Sequence, residues 1–215
     1  MEKIYTALGL MSGTSLDGVD VSIIKSDGNK EFSPILDRYF EYDKDLIEKI
    51  LHIRDKILIL EDLNIYLDEI KDLEREITLF NGKVVKETLE ISKSSVDLIG
   101  FHGQTIFHDA EKKISKQIGD GKLLSQLTKK KVVYNFRQND LENGGQGAPL
   151  TPIFHNVIAN KLNKKFSLGF PINILNIGGI ANFTSTVDWE NLASQKDKIY
   201  AYDIGPGNCL IDEMV

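Results

Sequence analysis

No glycine occurs between Gly28 and Gly82, whereas Gly144, Gly145, Gly147, Gly178, Gly179, Gly205 and Gly207 crowd the last third of the chain. Glycine weakens helices and permits backbone shapes that other residues resist. The first stretch therefore reads as helical scaffold and the second as segments whose function depends on backbone shape. Within the scaffold, Leu63, Leu67, Ile70, Leu73, Ile77, Phe80 and Val84 recur at steps of three or four, the stripe of an amphipathic helix. Helix is expected over 43–53 and again from Ile57 to about Ser92, with Gly82 a candidate kink. The charged residues of these segments read as a solvated outer face.

Around that scaffold lie short apolar strand-like runs: 4–11, 19–25, 36–42, 96–101, 114–118 and 131–134, then 172–177, 181–186 and 199–204. Helices are expected over 122–129 and 150–161. The stretch 135–149 reads as polar, glycine-rich and irregular, a crossover between lobes. The pattern strand, glycine loop, strand, strand, helix occurs near both ends, from Leu8 and again from Leu175. This points to a duplicated two-lobed α/β fold, with chance similarity of two hairpins as the alternative.

Composition narrows function. The chain has 215 residues, with 41% apolar and 27% charged residues, the balance of a soluble globular protein. Its net charge of −6 gives no electrostatic case for nucleic acid or an anionic membrane. No run of about 18 apolar residues is present to span a bilayer, and the N-terminus lacks the pattern of a signal peptide. The single cysteine, Cys209, cannot pair internally and fits a reducing cytoplasm.

Several polar clusters suit chemistry. Ser12, Gly13, Thr14, Ser15, Leu16, Asp17 and Gly18 form a loop whose hydroxyls and backbone N–H groups can cradle phosphate. It is neither a Walker loop nor a dinucleotide fingerprint, and a plain hairpin turn would use the same residues. Asp17 and Asp20 can hold magnesium through waters. His102, Gln104 and Thr105 follow a strand end, where open α/β sheets place ligands; His102 is either a donor to substrate or a satisfied, partly buried histidine. Arg137 suits bidentate recognition of carboxylate or phosphate, or a surface pair with Asp140 or Glu142. Asp203, expected at a strand end before Gly205-Pro206-Gly207, has the placement of a general base or of a turn cap. His108 and His155 have no partner at zinc-ligand spacing.

Taken in order, these blocks resemble the anhydro-N-acetylmuramic acid kinase family. The matching runs are Gly9 to Asp20, His102 to Thr105, Phe136-Arg137 with Asp140, Gly144 to Leu150, Asn176 to Asn182, and Asp203 to Asn208. The resemblance implies an actin-like (ribonuclease H-like) α/β fold with mixed sheets, two lobes enclosing ATP and substrate. The expected division is 1–134 for the first lobe and 135–215 for the crossover and an incomplete second lobe. Further strands, adenosine-binding loops and helices of the family lie outside this sequence, which leaves an open edge and apolar surface. The implied reaction opens the 1,6-anhydro ring of anhydro-N-acetylmuramic acid with water and phosphorylates its 6-oxygen, in peptidoglycan recycling.

The resemblance also implies roles. Asp203 would deprotonate the attacking water. Residues Ser12 to Gly18 would hold the ATP phosphates near Mg²⁺. His102, Gln104, Thr105, Arg137, Asp140 and Gln146 would line the sugar pocket, with Arg137 meeting the lactyl carboxylate. Asn135 stands where the family more often has Asp. A homodimer is expected by the same resemblance. The competing expectations are a non-catalytic fragment or remnant that binds sugar, and an actin-fold kinase or hydrolase of other specificity.

Overall fold

The computed structural model describes residues 3–190, 198–212 and 214. Its elements run β1 (Tyr5–Met11), β2 (Gly18–Ser26), β3 (Phe32–Glu41), α1 (Lys44–Lys56), α2 (Asp62–Ile65), α3 (Leu67–Ser92), β4 (Leu98–Phe101), β5 (Gln104–Asp109) and β6 (Ile114–Ile118). They continue with α4 (Gly121–Thr128), β7 (Lys131–Val133), α5 (Phe136–Glu142), α6 (Pro152–Phe166), β8 (Asn173–Ile177), β9 (Ile180–Ser185), β10 (Tyr200–Pro206) and α7 (Cys209–Asp212). The chain divides into two compact units, Met1–Gly147 and Ala148–Val215.

The first unit is built on a five-stranded sheet of order β3-β2-β1-β4-β7. β1, β2 and β3 pair antiparallel; β4 runs parallel to β1, and β7 parallel to β4. With the separate β5–β6 hairpin set aside, this is the strand order of the actin-like, ribonuclease H-like α/β fold. Pro34 sits on the edge strand β3, where its missing N–H is harmless, beside a bulge between Ile23 and Ile24.

Helix α1 starts where Asp43 accepts a 2.8 Å hydrogen bond from the N–H of Leu46, and it buries Leu46, Ile50 and Ile53 on one face. The expected single helix from Ile57 is broken. The Asp62 carboxylate takes the N–H groups of Leu58 and Ile59, both at 2.9 Å, which turns the chain before α3 begins. α3 buries Ile70, Leu73, Ile77, Val84 and Val85. Its buried Thr78, Asn81 and Thr88 donate to carbonyls four residues back, so these three donors are satisfied within the helix. The helix runs unbroken through Gly82, where the missing side chain lets Leu127 of α4 approach closely.

Two further expectations are corrected. Residues 104–109 form a strand, because the chain reverses at His102-Gly103 and returns with Ile106 in the core. The segment expected to be irregular contains α5, which follows Asn135 in a left-handed conformation that Asn tolerates well. α5 belongs to the first unit, where Gln138 accepts from the N–H of Ser115 on β6 at 3.0 Å.

The second unit repeats the opening motif. β8, β9 and β10 form an antiparallel sheet of order β10-β9-β8. α6 lies on the face carrying Thr184, to which His155 is hydrogen-bonded at 2.8 Å. The opposite face carries Leu175 and Ile177, 54% and 57% exposed, beside the tilted pair Phe183–Tyr202 at 5.6 Å. No helix among the described residues is long and apolar enough to cross a membrane.

Ile99 lies at the centre of the first core, 0% exposed on β4 between β1 and β7, whereas Leu58 is 77% exposed. Ile99→Ala is expected to destabilise the first unit by about 2–5 kcal/mol, and Leu58→Ala by less than about 0.5 kcal/mol. Urea unfolding of both variants checks the contrast; similar values would refute this placement of the core.

Candidate functional site

Parallel pairing sets the site. β1 and β4 align Ala7 with Leu98 through Leu10 with Phe101, and the N–H of His102 continues the ladder onto the Leu10 carbonyl at 3.2 Å. The loop after β1 and the turn after β4 therefore leave the sheet side by side, at the carboxyl ends of neighbouring parallel strands.

In the first loop, side chains divide by direction. Ser12 is buried, and its Oγ shares a 2.8 Å hydrogen bond with the Tyr42 hydroxyl. Burial pushes the Tyr42 phenol up to about 12, against the smaller opposing effect of that bond, so it stays protonated. Leu16 has φ 60° and is 2% exposed: its side chain pins the loop into the core and leaves only its backbone for a ligand. Thr14, Ser15 and Asp17 are exposed, and the Ser15 hydroxyl donates to Asp17 at 2.7 Å. Gly18 opens β2. Asp20 stands two residues on, its carboxyl held above the usual range by burial first and the Asp17 charge second.

A carboxylate pair under mutual repulsion fits a hydrated divalent cation, which keeps waters and takes one or two carboxylates plus phosphate oxygens. Asp17 and Asp20 therefore fit Mg²⁺ beside the exposed hydroxyls. Among the described residues, no group of three or more His, Cys, Asp or Glu forms a fuller metal cage.

Gln104, fully buried on β5, joins this loop to the next cluster. Its Nε2 donates to the Gly13 carbonyl at 2.9 Å, while its Oε1 has no partner among the described residues. His102 is engaged at both ring nitrogens, Nδ1 with the Gly103 carbonyl at 2.7 Å and Nε2 with Arg137 Nε at 2.9 Å. Burial, then the Arg137 charge, pushes His102 down to about 4, so the ring is neutral near pH 7.

Arg137 and Asp140, one turn apart on α5, together grip Gly147. Arg137 Nη1 donates to its carbonyl at 2.8 Å, and its N–H donates to Asp140 at 2.8 Å. Gly147 has φ +73°, and a Cβ there would lie 3.0 Å from both His108 and Leu141, so only glycine suits the position. Gln146 is exposed in the same loop.

Thr105 instead turns into the hairpin, accepting from Gln117 at 3.3 Å. Gln117 also bonds Ser115, which in turn contacts His108. His102, Gln104, Arg137 and Asp140 are thus brought together and tied to the loop. Tyr42 and Gln117 were missed. Nothing in the sequence marks Tyr42, but the alternation of Ser115 and Gln117 would have pointed inward once β5 was recognised.

In the second unit, Asp203 does not end its strand. β10 runs on to Pro206, with a bulge at Ile204 between Asp203, opposite Asn182, and Gly205, opposite Ala181. A bulge locally re-aims the strand, which suits an exposed functional carboxylate. Register places Asp203, Asn182 and Asn176 in one row across the three strands, and the buried Asn182 Oδ1 has no partner among the described residues. The N–H groups of Gly207 and Asn208 donate to Gly179 and Gly178 at 2.9 and 2.7 Å. A side chain at Gly207 would collide with the Gly178 carbonyl, so that position needs glycine's close approach.

The first unit thus offers an exposed hydroxyl and backbone loop chemically suited to an oxyanion, and a guanidinium held at two nitrogens; the second unit, taken by itself, carries the exposed Asp203 carboxylate. A family profile described as anhydro-N-acetylmuramic acid kinase matches residues 5–215. A protein of that name from Pelagibacter ubique is 56% identical over 215 residues, covering 100% of this chain and 55% of the relative. Proteins of the same name from Rhizobium etli and Agrobacterium fabrum are 39% and 37% identical, each over 100% of this chain and 56% of the relative. The chain spans about half the length of the curated relatives it matches. It belongs to the anhydro-N-acetylmuramic acid kinase family.

Proposed function

We propose that this chain carries the first part of an ATP-dependent kinase that hydrolyses the 1,6-anhydro bridge of anhydro-N-acetylmuramic acid and phosphorylates its 6-oxygen. One observation carries this reading beyond family membership. The turn His102–Gln104 ties two elements together within one compact unit: Gln104 holds the phosphate-type loop at Gly13, and His102 holds Arg137, an arginine suited to a carboxylate. Two ligands side by side, one with a transferable phosphoryl group and the other a carboxylate-bearing sugar, suit that pairing.

Backbone N–H groups of 13–18 with the Thr14 and Ser15 hydroxyls bind the phosphates of ATP. Asp17 and Asp20 hold Mg²⁺, which when bound offsets the negative charge of the phosphates. Arg137 takes the lactyl carboxylate bidentately, and Asp140 holds the loop that carries Gln146. Gln104, fully buried, serves the pocket by holding the Gly13 carbonyl in place. Asp203 accepts a proton from water as that oxygen bonds to the anomeric carbon and the bond from that carbon to the 6-oxygen breaks. The freed 6-oxygen then attacks the γ-phosphorus, the bond to ADP breaks, and N-acetylmuramic acid 6-phosphate forms. This chemistry belongs to peptidoglycan recycling in the cytoplasm.

The reading is tested on a chain of full family length. ADP should form only when the anhydro-sugar is supplied, and Asp203→Asn should lower kcat about 10²–10⁴-fold, the usual contribution of a general base. Calorimetric ATP affinity should be unchanged; wild-type turnover in Asp203→Asn would refute its role. Replacing Thr14 and Ser15 together by Ala should raise KM for ATP roughly tenfold, as expected for lost hydrogen bonds to a charged group. An unaltered KM would remove those hydroxyls from the phosphate site.

A further inference from the structure

The sugar-pocket reading makes His102 a ligand contact, but its hydrogen bonds commit the ring elsewhere. A carbonyl only accepts, so the 2.7 Å contact with the Gly103 carbonyl requires the proton on Nδ1. A neutral imidazole so protonated presents a lone pair at Nε2. The 2.9 Å partner there is Arg137 Nε, a group that only donates. A single tautomer satisfies both contacts, and Gly103 selects it by turning its carbonyl back at φ +71°. Arg137 is held a second time through Nη1 on the Gly147 carbonyl at 2.8 Å, and Gly147 is itself held by Asp140. Two hydrogen bonds to different nitrogens fix the plane of a guanidinium, which one bond alone leaves free to rotate.

We propose that His102 is a positioning residue, whose Nε2 orients the Arg137 guanidinium toward a ligand carboxylate rather than contacting the ligand itself. Burial supports this assignment, since it keeps the ring neutral and the Nε2 lone pair available. The value of this arrangement lies in preorganisation: a planar fork already set at the carboxylate angle loses less freedom on binding. The inference rests on reading Arg137 as the carboxylate partner.

The test compares His102→Gln, whose Oε1 reaches the place of Nε2, with His102→Asn and His102→Ala, which remove that acceptor. Binding is measured by calorimetry on the full-length protein with anhydro-N-acetylmuramic acid and with the same anhydro-amino sugar lacking the lactyl carboxylate. His102→Asn and His102→Ala should weaken the first sugar by about tenfold or more, the scale of a misplaced binding group. They should leave the second sugar unchanged, and His102→Gln should restore the first. Equal weakening of both sugars, or no restoration by Gln, would overturn the proposal.

If the wild-type protein binds neither sugar, the functional reading fails and the positioning claim is decided separately. In the nitrogen-15 spectrum of the folded chain, the Arg137 Nε–H resonance should shift in His102→Ala and return in His102→Gln. An Arg137 resonance indifferent to both substitutions would overturn the proposal.

Discussion

The parallel pairing of β1 with β4 is the constraint on which the site depends. Four aligned residue pairs bring together chain segments about ninety positions apart, and the His102 N–H extends that ladder to the edge of the turn. Both strands leave the sheet at the same end, so their following loops must share one space. The loop after β1 then returns antiparallel as β2, and the turn after β4 returns as β5. Neither return reaches a helix, so the space is walled by loop backbone and by the polar start of β5. Gln104 crosses it to Gly13. Without the parallel register, the hydroxyl loop and the guanidinium would have no fixed relation.

That space holds its shape at some conformational cost. A non-glycine residue in the left-handed region costs roughly 1–2 kcal/mol, and Leu16 occupies it. Burying a leucine side chain contributes about 1.5–3 kcal/mol, so packing Leu16 into the core offsets its backbone strain. The net effect is a loop held from its buried side, with the Thr14 side chain exposed and the exposed Ser15 hydroxyl resting on Asp17. Ser12 follows the same logic, its hydroxyl bound to Tyr42 and its backbone presented. On the other side, Arg137 and Asp140 both serve the backbone of Gly147, so α5 fixes the loop that the sequence marks only as glycine-rich.

Legibility in the sequence tracked the strength of local periodicity. The strands of the main sheet were visible as apolar runs, and α1 and α3 as stripes of buried residues, because each element's pattern reports its own burial. The break at Ile57 was not visible, since it arises from one carboxylate, Asp62, capping two N–H groups instead of continuing the stripe. β5 was hidden because Gln104 and Thr105 look like loop residues; their strand character comes from pairing with β6. α5 was hidden for a related reason. Its polar residues are turned to Gly147 and Ser115, contacts that no period reveals. The family motifs mark His102, Arg137 and Asp140, but the grip of Arg137 and Asp140 on the Gly147 backbone has no sequence signature.

The second unit shows how one strand motif yields different chemistry through its turns. β1–β2 and β8–β9 occupy equivalent places in their sheets, yet the first pair is joined by a six-residue loop and the second by Gly178-Gly179 alone. A long loop exposes hydroxyls and backbone; a two-residue turn exposes little, and here its carbonyls are taken by Gly207 and Asn208. Exposed polar groups in the second unit therefore come from the strands. The bulge at Ile204 adds an extra residue to β10 and breaks the alternation just after Asp203. The polar row Asn176–Asn182–Asp203 lies on the face that α6 covers further along, so the carboxylate emerges where helix cover ends and the bulge begins. A regular strand in this place would end in an ordinary hairpin edge; the irregular one sets an exposed acid in the same row as a buried amide oxygen that has no donor among the described residues.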